Sequence, residues 1–172
     1  MKKAILTINL ISILFVLSLS ARVLPQDVIW NSDESGYYTI KNNSIVLVST
    51  VGKKDKDILT SSDVSGMEIE SFFFSQDKKK VLIFTNSVRV WRYNTRGDYF
   101  VYDLKSKDGH RLGSSLPEKS LMFAKFSPNS RNVAYVSKEI IPNSFRNSST
   151  RANIYIENIS DKTVTKLTES DD

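Results

Sequence analysis

Three stretches, Trp30–Ile40 (WNSDESGYYTI), Phe74–Phe84 (FSQDKKKVLIF) and Phe126–Val136 (FSPNSRNVAYV), share one layout and decide the fold. Each opens on an aromatic, runs through a polar turn, and enters an apolar run seven residues after the aromatic: Tyr37-Tyr38, Val81–Phe84 and Val133–Val136. A later apolar strand follows in each unit, Ile45–Val48, Tyr99–Tyr102 and Ile154–Ile156. Each then closes on a polar hairpin leading to a leucine: Leu59, Leu112 and Leu167. The anchoring aromatics lie 44 residues apart from Trp30 to Phe74 and 52 apart from Phe74 to Phe126. Runs of four to six β-branched and aromatic residues bounded by turn residues predict antiparallel strands. No segment after the first 20 residues carries a 3.6-residue apolar period. Four short strands per unit of roughly 40–50 residues predict β-propeller blades. The competing architecture, a β-sandwich of unrelated strands, does not require equivalent turns at equivalent offsets.

A blade cannot bury both faces alone, and a propeller ring closes with about 4–8 of them. This chain of 172 residues supplies about three, the first of them the weakest in pattern. The expectation is therefore an all-β partial propeller, the N-terminal part of a longer protein, with apolar faces and strand edges open at its ends.

The first 20 residues read differently. Lys2 and Lys3 precede an apolar stretch from Ala4 to Leu19, and Ser18 and Ser20 supply the small residues of a cut after position 20. This predicts an N-terminal signal helix over 1–20 and an exported product, periplasmic or extracellular, with the propeller region over 21–172. The alternative is an uncleaved membrane anchor, for which the stretch is short against the ~20 apolar residues of a spanning helix. Cleavage lowers the formal charge from +5 to +3, because two of the 24 basic residues leave against 19 acids. The remaining basic residues alternate with acids, as in Lys53-Lys54-Asp55-Lys56-Asp57, so a solvated surface is expected and no nucleic-acid partner.

Composition removes much chemistry. Cysteine is absent and histidine occurs once, which excludes disulfides, thiolate metal sites, cysteine nucleophiles and any site needing two imidazoles. No phosphate-cradling glycine loop and no G-x-S-x-G serine elbow is present. His110 falls in a turn with no nucleophile fixed beside it and reads as a solvated residue. The pairs Glu68/Glu70 and Asp55/Asp57, placed on strands, would each share a face and so offer an acid–base couple or cation site, against the plainer reading of surface charge. Taken alone, the residues give no catalytic site and no metal site, and imply no cofactor.

The segment Asn86–Tyr99 (NSVRVWRYNTRGDY) joins the halves of the second unit and packs three arginines among aromatics. On pattern alone Trp91 reads as packing between blades and the arginines as solvated. Together with FFFSQDKKKVLIF before it and LMFAKFSPNSRNVAYV and NIYIENI after it, this string resembles the N-terminal propeller of dipeptidyl peptidase IV, most closely the secreted bacterial members of that prolyl oligopeptidase-type serine peptidase family. The likeness runs from about Asp27 to Lys166.

The resemblance implies an eight-bladed propeller that caps an α/β-hydrolase domain following in sequence. Such a peptidase releases N-terminal dipeptides, with the propeller confining the peptide substrate. It further implies that Arg92 binds a substrate carbonyl oxygen, a role suited to a permanently charged, donor-only guanidinium. The acidic pair that holds the substrate ammonium lies beyond this chain in such proteins, and Glu68/Glu70 do not match it. The catalytic serine, aspartate and histidine belong to the missing hydrolase domain, and a homodimer of the full-length protein is compatible with the resemblance. Ser127-Pro128-Asn129-Ser130 departs from the usual Asp-Gly turn, and Pro142–Arg151 reads as an insertion. Two readings result: the propeller fragment of an exported dipeptidyl-peptidase IV-like enzyme, inactive by itself, or a free-standing secreted binding or scaffold module.

Overall fold

The computed structural model describes residues 28–90, 93–140 and 150–168; the expected signal segment 1–20, Trp91, Arg92 and residues 141–149 lie outside the described residues. The described chain is all-β. The first meander comprises β1 (Ile29–Trp30), β2 (Gly36–Lys41), β3 (Ser44–Ser49) and β4 (Lys56–Leu59), in that spatial order. The second comprises β5 (Ser71–Phe74), β6 (Lys80–Val90), β7 (Tyr93–Asp103) and β8 (Gly109–Arg111). The third comprises β9 (Leu121–Phe126), β10 (Asn132–Ile140), β11 (Thr150–Asn158) and β12 (Val164–Lys166). Every pairing is antiparallel, and a Gly97–Leu121 pair links the second meander to the third. Among the described residues no helix is long and apolar enough to cross a membrane.

The anchoring aromatics Trp30, Phe74 and Phe126 each end the first strand of a meander, and the turns after them are equivalent hydrogen bond by hydrogen bond. The residue after the aromatic donates its backbone N–H five residues ahead: Asn31 to Gly36 (2.9 Å), Ser75 to Lys80 (2.9 Å) and Ser127 to Asn132 (2.8 Å). Two residues on, Asp33, Asp77 and Asn129 accept from the N–H of Ser35, Lys79 and Arg131 at 3.0, 3.1 and 3.1 Å, an Asx turn in each case. Glu34, Lys78 and Ser130 then take the left-handed conformation, φ 58°, 53° and 57°. The Asn129-Ser130 turn thus closes as the others do: the amide oxygen replaces a carboxylate, and a serine accepts the backbone strain that glycine would avoid.

Strand alternation places two cores on either side of the second meander. Val81 and Ile83 of β6 pack with Ile45, Leu59 and Phe72, while Leu82 and Phe84 pack with Leu121, Val133 and Tyr135. The run Val81-Leu82-Ile83-Phe84 is continuously apolar because both faces of this strand are covered. Each such side chain contributes about 1.5–3 kcal/mol by leaving water. The end meanders lack that double cover among the described residues: Trp30 and Phe123 are each 60% exposed, and Ile154 and Leu167 are exposed too.

Three expectations change. Strands β10 and β11 run to nine residues each instead of four to six, so Thr150 and Arg151, expected in the insertion Pro142–Arg151, belong to β11, and 142–149 lie outside the described residues. Strands β6 and β7 run to 11 residues each and continue past the blade as a hairpin, which the sequence placed only as a joining segment. Glu68 and Glu70 are not on a strand, so the shared-face argument for that pair fails.

Candidate functional site

The protruding hairpin is built from β6 and β7, with pairs Val88–Arg96, Arg89–Asn94 and Val90–Tyr93 beyond the Thr85–Asp98 pair. The register shifts once between Thr85 and Val88 and again between Val88 and Arg89. Each shift is a bulge that bends and twists a strand pair, a common device for re-aiming side chains near functional sites. Asn86 at the first bulge has φ 51°, a conformation asparagine tolerates better than most residues. Opposite it, Gly97 is required sterically, since a Cβ there would lie 2.6 Å from the Thr85 carbonyl oxygen and from the Phe84 ring.

Carboxylates hold both strands at the hairpin base. Glu70 Oε1 accepts from the Ser87 N–H at 2.7 Å. Asp98, almost fully buried, accepts at Oδ1 from Arg111 Nε (3.0 Å) and the Lys119 N–H (2.9 Å), and at Oδ2 from Asn86 Nδ2 (3.1 Å). Arg111 in turn donates to the carbonyls of Gly113 (3.1 Å), Leu116 (3.3 Å) and Pro117 (2.8 Å), tying β8 to the connection into the third meander.

A second buried carboxylate joins the meanders. Glu157 on β11 is 1% exposed, and its Oε2 accepts from the Gly113 N–H (2.7 Å) and the Tyr135 hydroxyl (2.9 Å). Burial, reinforced by the adjacent Glu157 charge, pushes the Tyr135 hydroxyl pKa far up, so it remains a donor. His110 Nε2 lies 3.4 Å from Glu157 Oε1, and the His110 side chain is 18% exposed. The expectation of a solvated turn histidine is therefore corrected: His110 sits on β8, where the third meander supplies a carboxylate that sequence distance concealed.

Of the other candidates, Glu70 is committed to the Ser87 N–H, and Glu68 is exposed. Asp55 precedes β4 and pairs with Lys41 at 2.9 Å; Asp57 is an exposed residue of β4. Neither pair forms an acid–base couple with a third group. Among the described residues no cluster of three or more His, Asp or Glu side chains could hold a metal ion. Arg92 and Trp91, which join Val90 to Tyr93 in sequence, lie outside the described residues. Asp98 and Glu157 escaped the sequence reading, although a signal existed. Asp98 is in phase with Phe100 and Tyr102, and Glu157 with Tyr155, so each carboxylate interrupts an inward-facing apolar row.

Repeated four-stranded meanders packed face to face, the second extended into a braced hairpin, define a propeller-type protein. The sequence places it further. Residues 75–172 match the family model described as the dipeptidyl peptidase IV N-terminal region, and the chain belongs to that family. It is 34% identical over 111 residues to dipeptidyl aminopeptidase B of Saccharomyces cerevisiae, covering 62% of this chain and 13% of that protein. In structure it is similar to Porphyromonas gingivalis dipeptidyl peptidase 4, with TM-score 0.64 and 18% identity over 83% of this chain and 19% of that one. A chain of Kuenenia stuttgartiensis hydrazine synthase is similar with TM-score 0.53 and 15% identity, over 83% of this chain and 42% of that one. The architecture therefore recurs where the chemistry differs, and function has to be argued from the site.

Proposed function

We propose that this chain is the N-terminal propeller region of an exported serine exopeptidase that removes N-terminal dipeptides, serving to gate and orient the peptide, and that the chain alone does not hydrolyse it. The reading rests on family membership together with one structural observation. The Asn86–Tyr99 motif that carries the resemblance coincides with the hairpin that is doubly bulged and braced by Glu70 and Asp98. Arg92, at the link between the two hairpin strands in sequence, is assigned to a substrate carbonyl oxygen. Its fixed positive charge and forked donors would orient the peptide while a serine, aspartate and histidine in a following hydrolase domain perform acyl transfer.

The test is hydrolysis of a Gly-Pro chromogenic dipeptide. The intact gene product is expected to turn it over, and the purified 172-residue chain to leave it untouched. Turnover by the chain alone, freed of contaminating peptidase, would overturn the assignment of chemistry to another domain.

A further inference from the structure

The β6–β7 hairpin could leave its blade in many directions, since two bulges relax the ladder that would otherwise dictate one. What restores a single direction is Asp98. An apolar residue would suit its position, in phase with Phe100 and Tyr102, and taking a carboxylate out of water is costly unless every lone pair is used. Here the oxygens are used: Oδ2 takes Asn86 at the bulge of β6, while Oδ1 takes Arg111 of β8 and the Lys119 backbone. The far ends of these partners are themselves anchored. Arg111 grips the Pro117 carbonyl at 2.8 Å, and Ser120 Oγ donates to that same carbonyl at 2.6 Å while lying 3.0 Å from Ser137 Oγ on β10. The hairpin base is thereby referenced to the second and the third meander together.

We propose that Asp98 is a positioning residue that fixes the direction of the hairpin, so that a peptide meets a preset surface and not a mobile arm. Its relevance to peptide binding rests on the functional reading above; its hold on the hairpin does not. The carboxylate converts three weak geometric preferences (a strained Asn86, an arginine on a short strand, a turn amide) into one shared acceptor. Glu70 supplies a second point of attachment on the opposite strand through the Ser87 N–H.

The test compares Asp98→Asn with the unaltered protein in the intact gene product. Backbone hydrogen exchange at 87–96 is expected to rise about tenfold, with amides of Val81–Phe84 and Val133–Val136 within about twofold of their original rates. In peptide hydrolysis, KM is expected to rise about 5–10-fold with kcat largely kept, because the lost element is binding that the ground state and the transition state share. Asn86→Gly is the milder second variant, keeping the left-handed backbone while deleting one bond, and is expected to give a smaller change of the same kind. Ile45→Val, a buried substitution on β3 of the first meander, is the control and should leave exchange at 87–96 unaffected. Exchange that is unchanged in both variants, or that rises equally across the cores, overturns the role of Asp98. A loosened hairpin with unchanged KM leaves that role standing and overturns the assignment of the hairpin to the peptide.

Discussion

Glu157→Ala is the substitution whose cost follows most directly from the structure. It removes the acceptor of two buried donors, the Gly113 N–H at 2.7 Å and the Tyr135 hydroxyl at 2.9 Å, and strips His110 of its carboxylate. An orphaned buried donor costs about 1–3 kcal/mol. The void left by the side chain adds to this, giving about 3–5 kcal/mol in total. Tyr135→Phe deletes one bond and keeps the packing, for about 1–1.5 kcal/mol. Because both changes break the same contact, the double variant should cost less than the sum, with a coupling of about 1–2 kcal/mol. Urea unfolding of the chain followed by tyrosine and tryptophan fluorescence reads this out. With a denaturant slope of about 2 kcal/mol/M, the Glu157→Ala midpoint falls by about 1.5–2.5 M. A fall below about 0.5 M, or strict additivity with Tyr135→Phe, would refute the view that this carboxylate joins the second and third meanders.

Further outcomes follow from the turns and the bulge. The Asp33 and Asp77 carboxyls are held below the usual range chiefly by the Ser35 and Ser75 hydroxyls, and those of Asp103 and Asp161 by backbone N–H groups of Ser106 and Thr163. Their folded pKa values being depressed, the stability they contribute is present above the unfolded value near about pH 4 and is lost as pH falls through the lower folded values. Asp77→Asn, which copies the natural Asn129, should flatten that acid limb of the urea midpoint; an unaltered limb contradicts the assignment. Gly97→Ala pushes a methyl against the Thr85 carbonyl and should cost about 1–3 kcal/mol, measured by thermal unfolding, whereas a neutral result would mean the bulge is not tightly closed.

Much of the fold was legible because its repeat is written in turn chemistry. An aromatic, a side-chain acceptor three residues later and an apolar run four beyond that recur in all three units, and each feature has a local physical cause. Asn129-Ser130 departed from the common turn residues, yet the geometry survived because an amide oxygen accepts as a carboxylate does. The buried network was harder to read. His110 and Glu157 are far apart in sequence, and Asp98 gathers Asn86, Arg111 and Lys119 from three segments, so no local spacing encodes either cluster. Their trace was a charge standing in the inward phase of a strand. The hairpin was visible as an unusual string, but its length was not, because bulges break the alternation from which strand ends are read.

Arg92 is the residue through which the hairpin segment is proposed to contact the peptide. Steady-state hydrolysis of a Gly-Pro chromogenic dipeptide by the intact gene product and its Arg92→Ala variant tests this contact most directly. A charge-assisted hydrogen bond of about 1.5–3 kcal/mol predicts a loss in kcat/KM of about 10–150-fold. An Arg92→Ala enzyme with unchanged kcat/KM would contradict the account.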